Sequence, residues 1–173
     1  MAAQGFFALQ RVQLIDGEII QMSPINNLHS ACICLVQEAL QKALGNAFWV
    51  RPQSTLDLGK YSQPDPDISV VAGTPRSQHP RRYKTALLVV EVSDTTLHID
   101  RGRKLSLYAA AGIREYWIAN LKTGKLEVYR DPQPDPARKL GYGYATRLTL
   151  GPSDTVSLLA APDAAIRVAD LLP

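Results

Sequence analysis

Long apolar runs are absent from this 173-residue sequence. No stretch approaches the roughly 18 consecutive apolar residues that a membrane-spanning helix needs. The N-terminal residues also lack the basic start and long apolar stretch of a secretion signal. A cytoplasmic location is therefore expected. The length, with 46% hydrophobic and 20% charged residues, predicts one soluble globular domain over residues 1–173.

Two further features are scarce or missing. The only cysteines are Cys32 and Cys34, which lie two apart in a predicted helix and so point in different directions. They are poorly placed to form a disulfide, which fits a reducing compartment, and without clustered His or Cys ligands a zinc site is disfavoured. No glycine-rich loop follows a strand, which argues against a Rossmann-type dinucleotide enzyme.

Strand and helix signals together predict an α+β fold, a mixed β-sheet flanked by helices. Asp16-Gly17 between two apolar runs, 8–15 and 18–22, predicts an N-terminal hairpin. Apolar residues at helical spacing predict a helix over 27–44, ended by Gly45. Further strands are predicted at 47–51, 54–58, 64–71, 86–92, 115–119, 125–130, 141–150 and 155–159, with a helix over 100–111, an irregular loop over 131–137 and a short closing helix or strand over 166–172.

Three polar residues stand in otherwise apolar surroundings in the middle of the chain. Asp67 opens one predicted strand, Glu91 lies near the end of another, and Lys104 follows on the next helix. Two carboxylates at strand ends can hold a hard divalent cation such as Mg²⁺ or Mn²⁺ through oxygen. An ammonium group nearby can orient or stabilise what that cation activates. The order therefore predicts a metal-dependent phosphodiesterase.

Structural roles for the same residues remain open at this point. Glu91 could pair with an arginine, and Asp67 could simply begin a strand after proline. Asp100, Lys104 and Tyr108 are four residues apart on one helical stripe, where Asp100 and Lys104 could form an ordinary surface pair and Tyr108 could pack in the core. The proximity of the helix to the end of the Glu91 strand favours the catalytic interpretation.

Basic residues form two groups, in a chain whose net charge is +3. Such groups are usually a solvated surface. Both groups flank the candidate metal carboxylates along the chain, and we therefore expect them to contact nucleic-acid phosphates. The first group lies in the loop before the Glu91 strand and the second on the helix after it: Arg81, Arg82 and Lys84, then Arg101 and Arg103.

The ordered motifs resemble those of the Uma-type restriction endonucleases, a bacterial family in the PD-(D/E)XK nuclease superfamily. Any one of these motifs is weak, but the ordered set covers about residues 14–129. The matching segments are Leu14-Ile15-Asp16-Gly17-Glu18-Ile19, Met22-Ser23-Pro24 with His29, Pro66-Asp67-Ile68, Val90-Glu91-Val92-Ser93, Asp100-Arg101 with Lys104 and Tyr108, and Gly112-Ile113-Arg114-Glu115-Tyr116-Trp117.

This resemblance implies a restriction-endonuclease-like core in which two acids and a lysine surround Mg²⁺. By position, Asp67 and Glu91 are the metal ligands, with the Val92 carbonyl as a further candidate ligand. The superfamily usually places its lysine two residues after the second acid, where this chain has Ser93. In Uma-type sequences the lysine is displaced onto the following helix, at Lys104.

The resemblance also adds candidates around this site and implies partners. Glu18 and His29 become candidate cleft residues, together with Asp100 and Tyr108. The expected substrate is DNA, and a homodimer is compatible with the apolar pattern. The alternative function is a catalytically inactive nuclease fold that binds nucleic acid or protein, which metal titration would distinguish.

Overall fold

The N-terminal part of the chain forms a hairpin and a long helix. In the computed structural model, which describes residues 11–22, 26–78 and 82–173, strands β1 (Val12–Ile15) and β2 (Glu18–Gln21) pair antiparallel. Asp16 and Gly17 both adopt positive φ, at 53° and 75°, as a tight two-residue hairpin turn requires. Helix α1 covers Asn27–Leu44 and ends at Gly45, whose φ of 59° suits glycine.

Six strands form a mixed sheet at the centre of the molecule, in the order β3-β4-β5-β6-β7-β8. Neighbouring strands are antiparallel except for the central pair β5 and β6, which run parallel. The fold class predicted from the sequence is thereby confirmed. The strands are β3 (Phe48–Pro52), β4 (Ile68–Ala72), β5 (Leu88–Ser93), β6 (Glu115–Asn120), β7 (Lys125–Pro134) and β8 (Tyr142–Leu150).

A parallel strand pair needs a crossover, and the segment between β5 and β6 provides it. It consists of a short helix α3 (Leu97–Ile99), a π-helical turn (Asp100–Lys104) and helix α4 (Leu105–Ala110); the preceding helix α2 (Pro75–Gln78) lies in the basic loop. The prediction of one α-helix over 100–111 is therefore wrong for the first turn, which is π-helical. There the Leu105 N–H reaches back to the carbonyl of Asp100, five residues earlier.

The two faces of the sheet bury separate apolar clusters. One face packs against α1 and against a C-terminal hairpin of β9 (Thr155–Leu158) and β10 (Ala161–Arg167), with Trp117 as its largest fully buried side chain. The other face packs against α4 and contains Tyr108 and Tyr116. None of the helices in the described ranges is long and apolar enough to cross a membrane.

Two further local predictions are wrong, and the strand predicted over 64–71 begins only at Ile68. Residues 54–58 form a loop rather than a strand, because Gln53 turns the chain out of β3 with a φ of 42°. Residues 131–134 continue β7 instead of forming a loop. Beyond Arg130 this strand pairs only with β8, so Pro132 and Pro134 occupy an edge where their missing N–H groups are tolerated.

Some predicted positions cannot be compared. The first three residues of the predicted hairpin, 8–10, and the motif residues Ser23 and Pro24 lie outside the described residues. Cys32 is buried and Cys34 is exposed, and both are free thiols, as their spacing in the helix predicted. Burial raises the pKa of the Cys32 thiol to about 12.

Candidate active site

A cavity of about 110 Å³ lies at the carboxyl end of β5. Its lining includes five of the residues predicted from the sequence, contributed by four separate parts of the chain: His29, Asp67, Glu91, Asp100 and Lys104. We call it the active-site cavity. The two strands, the crossover and the first turn of α1 therefore converge on one small space.

Glu91 lies within β5 and Asp67 directly precedes β4, and both acids line the active-site cavity on the same side of the sheet. Ile68 and Val90 are cross-strand partners, and both belong to the cluster packed against α1. Their neighbours Asp67 and Glu91 therefore face the opposite side. Both acids are buried, with 7% and 2% of their surfaces exposed.

Glu91 is held by two donors from the crossover. Lys104 Nζ lies 2.9 Å from Glu91 Oε2, and the Tyr108 hydroxyl donates to Oε1 at 2.6 Å. Burial raises the pKa of Glu91 to about 8, and the negative charges of Asp67 and Asp100 add to this against the opposing effect of Lys104. The cluster therefore has more negative than positive charge to accommodate.

Lys104 connects Glu91 to Asp100. Its Nζ lies 3.3 Å from Asp100 Oδ1, an oxygen for which the described residues provide no hydrogen-bond partner, so this contact is electrostatic. The other carboxylate oxygen accepts a hydrogen bond of 2.7 Å from Thr96 Oγ1. Burial alone would lower the pKa of Lys104, but the negative charges of Glu91 and Asp100 more than offset this effect. The net pKa of Lys104 is raised above its ordinary value, so the amine stays protonated.

Asp67 is oriented from two sides. The Val92 N–H donates to its Oδ2 at 2.8 Å, and His29 Nε2 lies 3.1 Å from its Oδ1. The hydrogen bond to Asp67 raises the pKa of His29 above its ordinary value, although partial burial opposes the shift. The backbone of α1 reaches this position because the Asn26 side chain caps the helix by accepting from the His29 N–H at 2.8 Å.

The remaining predicted residues lie elsewhere. Glu18 does not line the active-site cavity; it pairs with Arg103 at 2.6 Å and ties the N-terminal hairpin to the crossover. Arg101 binds the buried Glu127 at 2.5 Å. Arg82 and Lys84 are exposed and line a different cavity, which shares no lining residue with the active-site cavity, and Arg81 lies outside the described residues.

Several polar residues of the site were not identified from the sequence. Thr96 holds Asp100, and Asn26 Nδ2 donates to Asp94 Oδ2 at 3.1 Å across the rim of the cavity. The i,i+4 spacing of Thr96 and Asp100 was a usable signal. The Asn26–Asp94 contact joins residues 68 positions apart, so no local pattern could have identified it.

The donor chemistry of the cavity fits a hard divalent cation. Among the described residues, no group of three or more His, Cys, Asp or Glu side chains is arranged to hold a metal ion. Mg²⁺, however, commonly takes one or two carboxylates and fills its other positions with water and substrate oxygens. Asp67 and Glu91 offer that set, and a cation would offset the negative charge of the buried Glu91, whose pKa is raised chiefly by burial and further by Asp67 and Asp100.

Comparison with known proteins relates the chain to one family model and to solved structures. A family model described as "Uma2: Putative restriction endonuclease" matches residues 3–169. Among solved structures, the chain resembles one described as a "putative nuclease belonging to DUF820" from Anabaena variabilis ATCC 29413. The TM-score is 0.68 at 16% identity, over 92% of this chain and 88% of that chain, which shows a shared fold. No curated protein matches the chain.

Proposed function

The chain belongs to the Uma2 family of restriction-endonuclease-like proteins, and from this we propose that it hydrolyses phosphodiester bonds in DNA with a divalent metal ion. One observation carries the proposal. Lys104 Nζ lies between the carboxylates of Glu91 and Asp100, in the same cavity as Asp67. Two acids and an amine from distant parts of the sequence thus share one buried space with an opening to solvent.

Asp67 and Glu91 would hold Mg²⁺ or Mn²⁺, with the Val92 carbonyl as a further candidate ligand. The Val92 N–H and His29 hold Asp67 in one orientation, while the second lone pair of each of its oxygens stays available. Bound there, the cation would lower the pKa of a water molecule and offset the charge on the scissile phosphate.

Lys104 would act directly on the reacting groups. Its amine is protonated and carries three N–H donors, of which the contacts with Glu91 and Asp100 use at most two. The remaining donor can orient the attacking water or bind a phosphate oxygen. Asp100, held by Thr96, positions the amine and is not required to touch the substrate.

The principal experiment is cleavage of double-stranded DNA with Mg²⁺ or Mn²⁺ by the wild type and by Asp67→Asn, Glu91→Gln and Lys104→Met. Each substitution preserves the approximate shape of the side chain and removes its charge. We expect each to lose at least about a hundredfold in cleavage rate, the lower end for loss of a positioned catalytic group. Asp163→Asn and Lys122→Met are matched exposed controls and should cleave like the wild type.

Two further measurements separate the parts of the proposal. Mn²⁺ binding by calorimetry should weaken in Asp67→Asn and persist in Lys104→Met, since the lysine is not a ligand. A wild type that binds DNA but does not bind Mn²⁺ and does not cleave the strand would support the inactive nuclease fold instead. A single-stranded RNA of the same sequence, tested in parallel, reports whether DNA is the preferred substrate.

A further inference from the structure

A second cavity, of about 670 Å³, lies at the amino ends of β5 and β6. We call it the distal cavity and define it by six of its lining residues: Arg82, Tyr83, Lys84, Leu87, Arg114 and Leu159. At about 3.3 Å per strand residue, Leu87 lies about 13 Å along the strand from Glu91. The distal cavity is therefore separate from the active-site cavity.

The wall of the distal cavity is partly apolar. Leu87 and Leu159 are among the most exposed large apolar side chains of the described residues, at 36% and 39% exposure. The half-buried Tyr83 ring has the Arg51 guanidinium over it at 4.1 Å, while its hydroxyl is buried and has no hydrogen-bond partner within residues 11–22, 26–78 and 82–173. A buried hydroxyl without a partner is uncommon in folded proteins. The cavity thus combines exposed leucine side chains with one aromatic residue.

Three cations surround this apolar surface without compensating charge. Arg82, Lys84 and Arg114 are exposed, and none forms an ion pair with any described residue. No acidic side chain lines the distal cavity in the described part of the chain. The cavity is thus chemically opposite to the active-site cavity, where acids predominate.

We propose that the distal cavity binds one nucleotide, with its phosphate on the three cations and its base against Leu87, Leu159 and Tyr83. A fatty acid would also combine an apolar part with a negative charge. Its single charge, however, fits a group of three cations less well than a phosphate dianion does. The volume lies in the range of small-molecule sites, about 300–1,000 Å³. The proposal goes beyond the proposed hydrolytic function, because it uses none of the residues of the active-site cavity.

Calorimetric titration without metal tests this with thymidine monophosphate, thymidine, inorganic phosphate, decanoate and an acidic tetrapeptide. Thymidine monophosphate should bind more tightly than every other probe. The Lys84→Ala, Arg114→Ala double variant should weaken it at least about tenfold, since charge-assisted hydrogen bonds are lost. Leu159→Asp should weaken it similarly. The matched control Lys122→Ala, an exposed lysine outside the distal cavity, should leave it unchanged.

The nucleotide assignment is overturned if inorganic phosphate alone binds as tightly, if decanoate or the peptide binds in preference, or if the double variant keeps full affinity. An eight-residue thymidylate strand, titrated in parallel, distinguishes the source. If the double variant binds both the mononucleotide and the strand more weakly, the cavity takes a nucleotide of the substrate strand. If it binds only the mononucleotide more weakly, the cavity takes a free nucleotide. Asp67→Asn should bind thymidine monophosphate normally, so failed catalysis and failed nucleotide binding are separable.

Discussion

At the residue scale, the hydrogen bond from Tyr108 to Glu91 is buried on both sides. The tyrosine is 0% exposed and the acid 2% exposed. Burial raises the pKa of Tyr108 well above its ordinary value, and the neighbouring Glu91 carboxylate adds to the shift, so the hydroxyl acts as a donor. Tyr108 thus supports Glu91 from inside the protein rather than from the cavity.

Replacing Tyr108 by phenylalanine should destabilise the protein. The buried Glu91 Oε1 would lose the hydroxyl that donates to it, and we expect the free energy of unfolding to fall by about 2 kcal/mol. Urea denaturation measures this change. Tyr142→Phe, at an exposed position, is the control and should change stability little. An equal effect of both variants would show that the Tyr108 hydroxyl does not support Glu91.

The identity of the three central residues was predictable because each interrupts an apolar pattern. What the pattern did not predict is how the amine reaches Glu91. Ser93, where the superfamily usually places its lysine, is fully buried, and Lys104 approaches from the crossover instead. The buried acids Glu115 and Glu127 interrupt apolar strands in the same way. They bind Arg130 at 2.7 Å and Arg101 at 2.5 Å, which shows that interruption alone does not identify a catalytic residue.

At the element scale, the π-helical turn sets the geometry of the crossover. It contains both Asp100 and Lys104, and the Tyr116 hydroxyl donates to the Asp100 carbonyl at 3.1 Å. A π-turn accommodates one extra residue compared with an α-helix. The extra residue therefore sets the angular position of Asp100 around the helix axis, relative to Lys104 and Tyr108.

Deletion of Gly102 should convert the turn to α-helix and abolish cleavage. Removing one residue leaves Asp100 and Lys104 three residues apart instead of four, which would shift the Asp100 carboxylate and Thr96 relative to the amine while α4 stays packed. Cleavage assays and circular dichroism together measure this. Loss of activity with a retained folded spectrum is the expected result, and full activity would mean that the turn is not required.

Gly102→Ala is the matched control for that deletion. The φ of Gly102 is not positive, and a Cβ at this position would meet no heavy atom within 4 Å. Alanine should therefore be tolerated and should stabilise the protein by about 0.4–1 kcal/mol through a smaller entropy of the unfolded chain. Thermal unfolding checks this value, and cleavage should stay at the wild-type level.

At the scale of the whole molecule, the excess of acids in the active-site cavity makes stability depend on pH. Burial raises the pKa of Glu91 from the ordinary glutamate value of 4.5 to about 8. Between these values the folded protein binds more protons than the unfolded chain, so stability falls as pH rises. The raised pKa of His29 acts in the same direction, because its contribution is lost as pH rises through the folded value.

Without added metal, the melting temperature should therefore decrease between pH 5 and pH 8. Glu91→Gln removes the titrating group and should make the curve flatter, whereas the exposed control Glu38→Gln should follow the wild type. Differential scanning calorimetry in a series of buffers gives the measurement. A melting temperature that rises across this interval would contradict the charge balance inferred for the cavity.

The basic surface should give DNA binding a steep dependence on salt. If Arg82 and Lys84 each contact one phosphate, the double alanine variant should reduce the slope of log K against log salt by about 1.8. Fluorescence anisotropy at several salt concentrations measures this slope. Lys122→Ala with Lys125→Ala removes the same charge from another exposed position, and an equal change in both pairs would indicate net charge rather than contact.

The sequence alone determined the fold class, the hairpin, the helix over 27–44 and the three central polar residues. These depend on local periodicity, turn residues and interrupted apolar runs, which are readable within a few positions. The catalytic and metal-binding roles of those three residues, the identity of the metal, the predicted DNA contacts, the homodimer, the single-domain organisation and the cytoplasmic location stay predictions.

Only the tertiary structure decided which polar residues meet. His29 and Asp67 are 38 positions apart, and Asn26 and Asp94 are 68 apart. Packing between distant segments likewise decides three other features. These are the π-turn, the position of Arg82 and Lys84 in the distal cavity and the pairing of Arg103 with Glu18. The physical reason is that a polar side chain finds its partner through the arrangement of whole strands and helices, about which its neighbours in sequence carry little information.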